Sequence, residues 1–176
     1  MDFDITVVIP YYNEEQSLDK TLELIRQQTK LPKEVIFVNS SSTDGSSTFL
    51  DKLIEQHQGE SGVHYKNIFE YTDTPSSSKN VGIRLTKTEW IAFMDCGLLF
   101  SKNWLESQIF YIKNSGLDIV SGVCDFSGTN VIDICCSAHT HGYHRKRVVV
   151  PSTLVRKSVF EKVGLFLENR RSGYDH

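Results

Sequence analysis

The chain has 176 residues, 39% of them hydrophobic and 23% charged, a mixture that suits one folded α/β domain with a core needing neither disulfides nor structural metal. Its formal net charge of −3, with no long basic run, argues against a general attraction to nucleic acid. No apolar run approaches the length of a membrane span and the start, Met1-Asp2-Phe3-Asp4, is acidic, so neither a membrane helix nor a signal peptide is expected and the cytoplasm is the default location.

In chain order, Ile5 to Ile9 is a β-branched run that stops at Pro10, as a buried parallel strand would. Asn13, with Gln16 three residues on, is placed to cap a helix whose inner face is Leu18, Leu22 and Ile25, and Pro32 closes that segment. Glu34 to Asn39 reads as the second strand, and Ser40-Ser41-Ser42-Thr43-Asp44-Gly45 as a polar loop in which Asp44 orders its own turn. The next helix carries Leu50, Leu53, Ile54 and His57, and a weaker strand lies around Val63 to Ile68. Pro75 and three serines open a helix with Val81 and Leu85 inward, and Trp90 to Met94 is a buried strand ending in Asp95-Cys96-Gly97. Asn103 to Asn114 reads as a helix terminated by Gly116, and Asp118 to Val123 as a strand. From Cys124 to Arg147 the pattern weakens into loop. Val148 to Val155 looks extended, and Ser158 to Val163 is a short helix.

This β–α–β–α order predicts an α/β fold, a mostly parallel central sheet between two helical layers. Three polar segments, Tyr12-Asn13-Glu14, Asn39-Ser40-Ser41 and Asp95-Cys96-Gly97, each follow the carboxyl end of a predicted strand. In open α/β sheets that edge is where ligands bind. The four cysteines, Cys96, Cys124, Cys135 and Cys136, form no C-x-x-C pair, which supports neither a zinc ribbon nor a thioredoxin-type centre. His139, His141 and His144 lie near Cys135 and Cys136, but at a spacing that matches no familiar zinc pattern. Surface histidines and a loop bordering a ligand pocket remain the alternatives. Arg145-Lys146-Arg147 can meet a phosphate or an anionic membrane surface, and is too short to decide between them.

The segments VVIPYYNEEQSLDKTL, VIFVNSSSTDGSS, SSSKNVGI, WIAFMDCG and VFEKVGLF, in this order, resemble the successive motifs of glycosyltransferase family 2. The resemblance implies a GT-A fold, which is Rossmann-like, and an inverting transferase of hexosyltransferase type using a nucleotide-diphosphate sugar. UDP-sugars are the donors expected from family frequency. The acceptor would be a hydroxyl on a glycan or lipid-linked molecule, in cell-surface polysaccharide or lipopolysaccharide synthesis. Peripheral association with the inner face of the membrane fits such an acceptor. The resemblance also implies residues 1–123 as the nucleotide-sugar-binding part and 124–176 as the start of an acceptor-side part, within one domain that continues past residue 176.

By the same resemblance, Pro10, Tyr11, Tyr12, Asn13 and Glu14 form the first nucleotide-binding loop, with Tyr12 presenting an aromatic face for stacking. Asn39 stands where the family usually has a base-binding aspartate, and an amide offers both a donor and an acceptor there. Ser40 also replaces a common aspartate, and Ser41 completes that loop. Lys79, in Lys79-Asn80, takes the place of an arginine that meets the diphosphate as a point charge. Asp95, with Cys96 and Gly97, corresponds to the DxD motif. Its second carboxylate is missing, and Asp95 alone would bind Mg2+ or Mn2+ with phosphate and water oxygens. Asp175, after Tyr174 in place of the usual glutamate, matches the catalytic base. Two other classes compete. A non-catalytic nucleotide-sugar-binding relative would explain the departures at Asn39, Ser40, Gly97 and Tyr174. A dinucleotide-dependent oxidoreductase would need a GxGxxG where IPYYNEE stands.

Overall fold

The computed structural model describes residues 3–71, 74–122 and 150–168. Its elements in chain order are β1 (Ile5–Tyr11), α1 (Glu15–Arg26), β2 (Glu34–Asn39), α2 (Ser46–His57), β3 (His64–Phe69), α3 (Pro75–Leu85), β4 (Trp90–Phe93), α4 (Trp104–Ser115), β5 (Ile119–Ser121), β6 (Thr153–Arg156) and α5 (Ser158–Val163). One six-stranded sheet runs β3-β2-β1-β4-β6-β5. The first four strands are mutually parallel, while β6 lies antiparallel to both β4 and β5. The expected α/β sheet is therefore mostly parallel, with β6, second from one edge, reversed in a way that periodicity could not announce.

Burial on both faces explains why β1 and β2 are continuous apolar runs. Alternate residues serve opposite layers. Ile5, Val7, Ile9, Val35, Phe37 and Ala92 join Leu18, Leu22 and Ile25 of α1, Leu50 of α2 and Leu105 of α4 in the larger core. Val8, Ile91, Phe93 and Val155 face Ile83 of α3, with Val159 and Phe160 of α5 packed beside them. The result is a sheet between two helical layers.

Three local expectations are corrected. Pro10 does not end β1: the strand runs on to Tyr11, whose carbonyl accepts from Ser40 N–H at 2.8 Å. Asn13 does not cap α1. Glu14 stands at the cap and its carbonyl accepts from Ser17 and Leu18, while Asn13 adopts a left-handed φ of 55° and bonds elsewhere. In α3 the buried residues are Ser76, Ser78, Lys79, Asn80, Gly82 and Ile83, whereas Leu85 is exposed. The cause is close packing on β1, where a Cβ at Gly82 would sit 2.2 Å from Val8 Cγ1. Thr74 starts this helix by accepting from Ser77 N–H, with Pro75 in the first turn.

Candidate functional site

β2, β1 and β4 are adjacent and parallel, so the segments after Tyr11, Asn39 and Phe93 emerge on one edge of the sheet. Side chains knit them together. Asn13 N–H donates to Ser42 Oγ at 3.0 Å, and Asn13 Oδ1 accepts from Thr43 N–H at 2.8 Å. Glu14 N–H donates to Ser46 Oγ at 2.8 Å. Ser40 and Ser78 share a hydroxyl contact of 2.6 Å, which ties the second loop to α3. Asp44 orders the start of α2, accepting from the Ser46 hydroxyl and from Ser46 N–H at 3.0 Å, and the hydroxyl bond chiefly holds its carboxyl below the usual range.

Asn39 is 1% exposed. Its Oδ1 accepts from Ser42 N–H at 2.8 Å, while its Nδ2 is enclosed without a hydrogen-bond partner, as is the Ser41 hydroxyl. Ser41 takes a left-handed φ of 62°. Buried polar groups in this state are uncommon and concentrate where a ligand, ion or water completes them. Tyr12 is exposed at the edge, but Tyr11 turns into the core and donates from its hydroxyl to Asn67 Oδ1 at 2.7 Å. Burial pushes the Tyr11 hydroxyl up to about 12, so Tyr11 offers the edge only its backbone.

At the end of β4, Asp95 Oδ1 lies 3.2 Å from Lys79 Nζ; the lysine side chain is fully buried and the aspartate is 35% exposed. The contact is ionic, since Oδ1 lacks a partner in hydrogen-bond geometry. Cys96 packs against the larger core. Burial first, then the nearby Glu14 charge, push its thiol up to about 12, which keeps it a neutral thiol at neutral pH. Gly97 takes a φ of +76° and lets the chain turn past Ser17.

The donor set for a divalent ion is therefore a single carboxylate with one oxygen facing a lysine. Among the described residues no three His, Cys, Asp or Glu side chains cluster to hold a metal. This set fits an ion bound chiefly by diphosphate and water oxygens, the usual habit of Mg2+. It does not fit an all-protein cage.

Sequence reasoning left Ser42, Thr43, Ser78 and Asn80 without roles, although all lie inside the quoted motifs. The polar run of three serines before Lys79 was the available signal. Asp175, Cys124, Cys135, Cys136, His139, His141, His144 and Arg145 to Arg147 lie outside the described residues. No helix among the described residues is long and apolar enough to cross a membrane.

The family model described as glycosyl transferase family 2 matches residues 6–134. An uncharacterized glycosyltransferase of Rickettsia bellii is 28% identical over 99% of this chain and 25% of its own length. Glycosyltransferase AglE of Haloferax volcanii is 28% identical over 97% of this chain and 58% of its own length. Among solved structures, the mannosyltransferase PcManGT from Pyrobaculum calidifontis, in complex with GDP-Man and Mn2+, superposes with a TM-score of 0.77 at 20% identity, over 97% of this chain and 49% of that one. S. aureus TarS in complex with UDP-GlcNAc gives a TM-score of 0.70 at 19% identity, over 98% of this chain and 51% of TarS. These likenesses show the GT-A fold. The chain spans less than two thirds of the length of each of these relatives.

Proposed function

This chain belongs to glycosyl transferase family 2, and we propose that it forms the donor side of an inverting transferase that moves a sugar from a nucleotide-diphosphate sugar to a hydroxyl acceptor. The observation that carries this reading is the gathering of three polar loops at the carboxyl ends of β2, β1 and β4, bound to one another through Asn13, Ser40 and Lys79. Tyr12 presents the exposed ring for the base, and Asn39 and Ser41 supply unpartnered polar groups beside it. UDP-sugar is the first choice of donor. Relatives of this fold bind UDP-GlcNAc and GDP-Man.

In this reading the acceptor hydroxyl attacks the anomeric carbon opposite the diphosphate, Asp175 takes the hydroxyl proton, and the configuration inverts. Lys79 places a positive charge at the end of β4, where charge develops on the leaving group. Asp95 would hold Mg2+ or Mn2+, which when bound neutralises the same developing charge. Residues 1–123 would serve the donor and 124–176 would begin the acceptor side.

Calorimetric titration with UDP-sugars and GDP-mannose, with Mn2+ and with EDTA, tests the reading. At least one nucleotide sugar should bind, and substitution of Tyr12 by alanine should weaken it. Failure of every nucleotide sugar to bind would overturn it.

A further inference from the structure

The loop after β1 brings a second carboxylate to the turn that follows β4. Glu14 is half-buried at the start of α1, and its Oε2 accepts from the Ser17 hydroxyl. Ser17 in turn packs on Gly97: a Cβ placed at 97 would lie 3.9 Å from Ser17 Cβ, an ordinary contact. One turn further along α1, Thr21 Oγ1 accepts from Gly97 N–H at 3.4 Å. The first turns of α1 therefore lie directly against the Asp95-Cys96-Gly97 segment. The charges of Glu14 and, more weakly, Asp95 both raise the Cys96 thiol, so the two carboxylates lie within electrostatic reach of the same residue.

Charge balance gives this contact a consequence. Asp95 faces the Lys79 ammonium at 3.2 Å, so a divalent ion arriving at Asp95 meets a pair whose charges largely offset each other. Such an ion also keeps several waters, whose hydrogens need acceptors beyond the direct ligand. Gly97 has no side chain to offer one. A carboxylate at 97 would project toward Ser17, the side chain against which the Glu14 carboxylate already rests. An ionised carboxylate has roughly four acceptor positions, and the single hydroxyl of Ser17 does not exhaust them.

We propose that Glu14 carries the second negative charge of the divalent-ion site, accepting hydrogen bonds from the ion's water shell where Gly97 supplies no carboxylate. This rests on the transferase reading and on Asp95 as the direct ligand. Outer-shell acceptors of this kind are worth about 10- to 100-fold in metal affinity.

The test uses the unaltered protein, Glu14→Gln, Glu14→Asp and the pair Glu14→Gln with Gly97→Asp. Calorimetry gives the ratio of UDP or GDP affinity with Mn2+ to that with EDTA, and electron paramagnetic resonance gives Mn2+ affinity in the presence of the same nucleotide. Glu14→Gln keeps an acceptor for Ser17 and should lower both Mn2+ affinity and the ratio by about 10- to 100-fold. Glu14→Asp keeps the charge and should lose less. The pair should recover most of the loss, because aspartate tolerates the left-handed φ of +76° at 97 better than most side chains and meets only an ordinary contact there. An unchanged ratio in Glu14→Gln would overturn the proposal. So would an equal fall with Mn2+ and with EDTA, the mark of a merely structural role, or a loss that neither Glu14→Asp nor Gly97→Asp lessens. Failure of the unaltered protein to bind UDP or GDP in either condition would instead overturn the transferase reading. Nucleotide binding without any effect of Mn2+ would remove the metal from the site, and this proposal with it.

Discussion

Lys79 Nζ sits 3.2 Å from Asp95 Oδ1, joining α3 to the end of β4 where the donor diphosphate is proposed to lie. The lysine side chain is fully buried and the aspartate about a third exposed. Removing one partner of a fully buried pair costs about 3–5 kcal/mol, and Asp95→Asn should cost less because water reaches the aspartate. The same substitution removes the one carboxylate offered to a metal. Mn2+ should strengthen donor binding in the parent protein and not in Asp95→Asn, with a modestly lowered Tm in the variant. Calorimetry and thermal melts check both. Equal donor affinity with EDTA and with Mn2+ in both proteins would remove the metal from the mechanism.

Gly82 should be the least replaceable residue of α3. A Cβ there would lie 2.2 Å from Val8 Cγ1, and Val8 is fully buried in β1. Gly82→Ala must push the helix off the sheet, an overpacking cost of about 1–3 kcal/mol. Because Lys79 rides on the same helix, donor binding should weaken as well. Adding Val8→Ala should restore part of both. Denaturant unfolding of the single and double variants measures the coupling, and additive losses would show that the contact is not the cause.

These contacts mark where the sequence is legible and where it is not. The boundaries Glu34 to Asn39 and Ser158 to Val163 match β2 and α5 as read, since apolar runs with clear polar borders encode local structure directly. Helix α3 reads inside out because its buried face is serine, lysine, asparagine and glycine, residues whose burial depends on partners elsewhere. The pattern around Asn13 suits a cap, yet contacts with Ser42 and Thr43 of another loop take the residue instead. The antiparallel β6 beside β4 is equally silent in local periodicity. The strand-end loops were legible because each follows a buried strand, whereas the hydrogen bond from Asn80 Nδ2 to the Phe166 carbonyl joins residues 86 apart in sequence.

Cys96 should be inert at neutral pH. Burial and the Glu14 charge raise its thiol to about 12, against an ordinary 9.0. A folded value above the unfolded one means that the neutral thiol stabilises the fold. That contribution is complete below the unfolded value and is lost as pH climbs from about 9 to about 12. Cys96→Ala should therefore lose less stability across this window than the parent does, whatever its packing cost at neutral pH. Denaturant unfolding near pH 8 and near pH 10.5 measures the difference. Alkylation of the Cys96 peptide at pH 8 should also be slower than that of a free thiol, and equal rates would contradict the assigned burial.

The last prediction concerns Asp175, the proposed general base. It follows Val163-Gly164-Leu165-Phe166 and Ser172-Gly173-Tyr174 at the interval where the family carries its catalytic carboxylate, and it lies outside the described residues. Deprotonating an acceptor hydroxyl requires a carboxylate within about 3 Å of it, directly or through one water. An amide is nearly the same size but cannot take the proton. Asp175→Asn in the whole protein should therefore reduce transfer by about 100-fold or more while donor affinity is retained. Tyr174 lacks the charge of the glutamate it replaces, so Tyr174→Glu should change acceptor KM more than donor affinity. Near-normal turnover of Asp175→Asn would rule the base out.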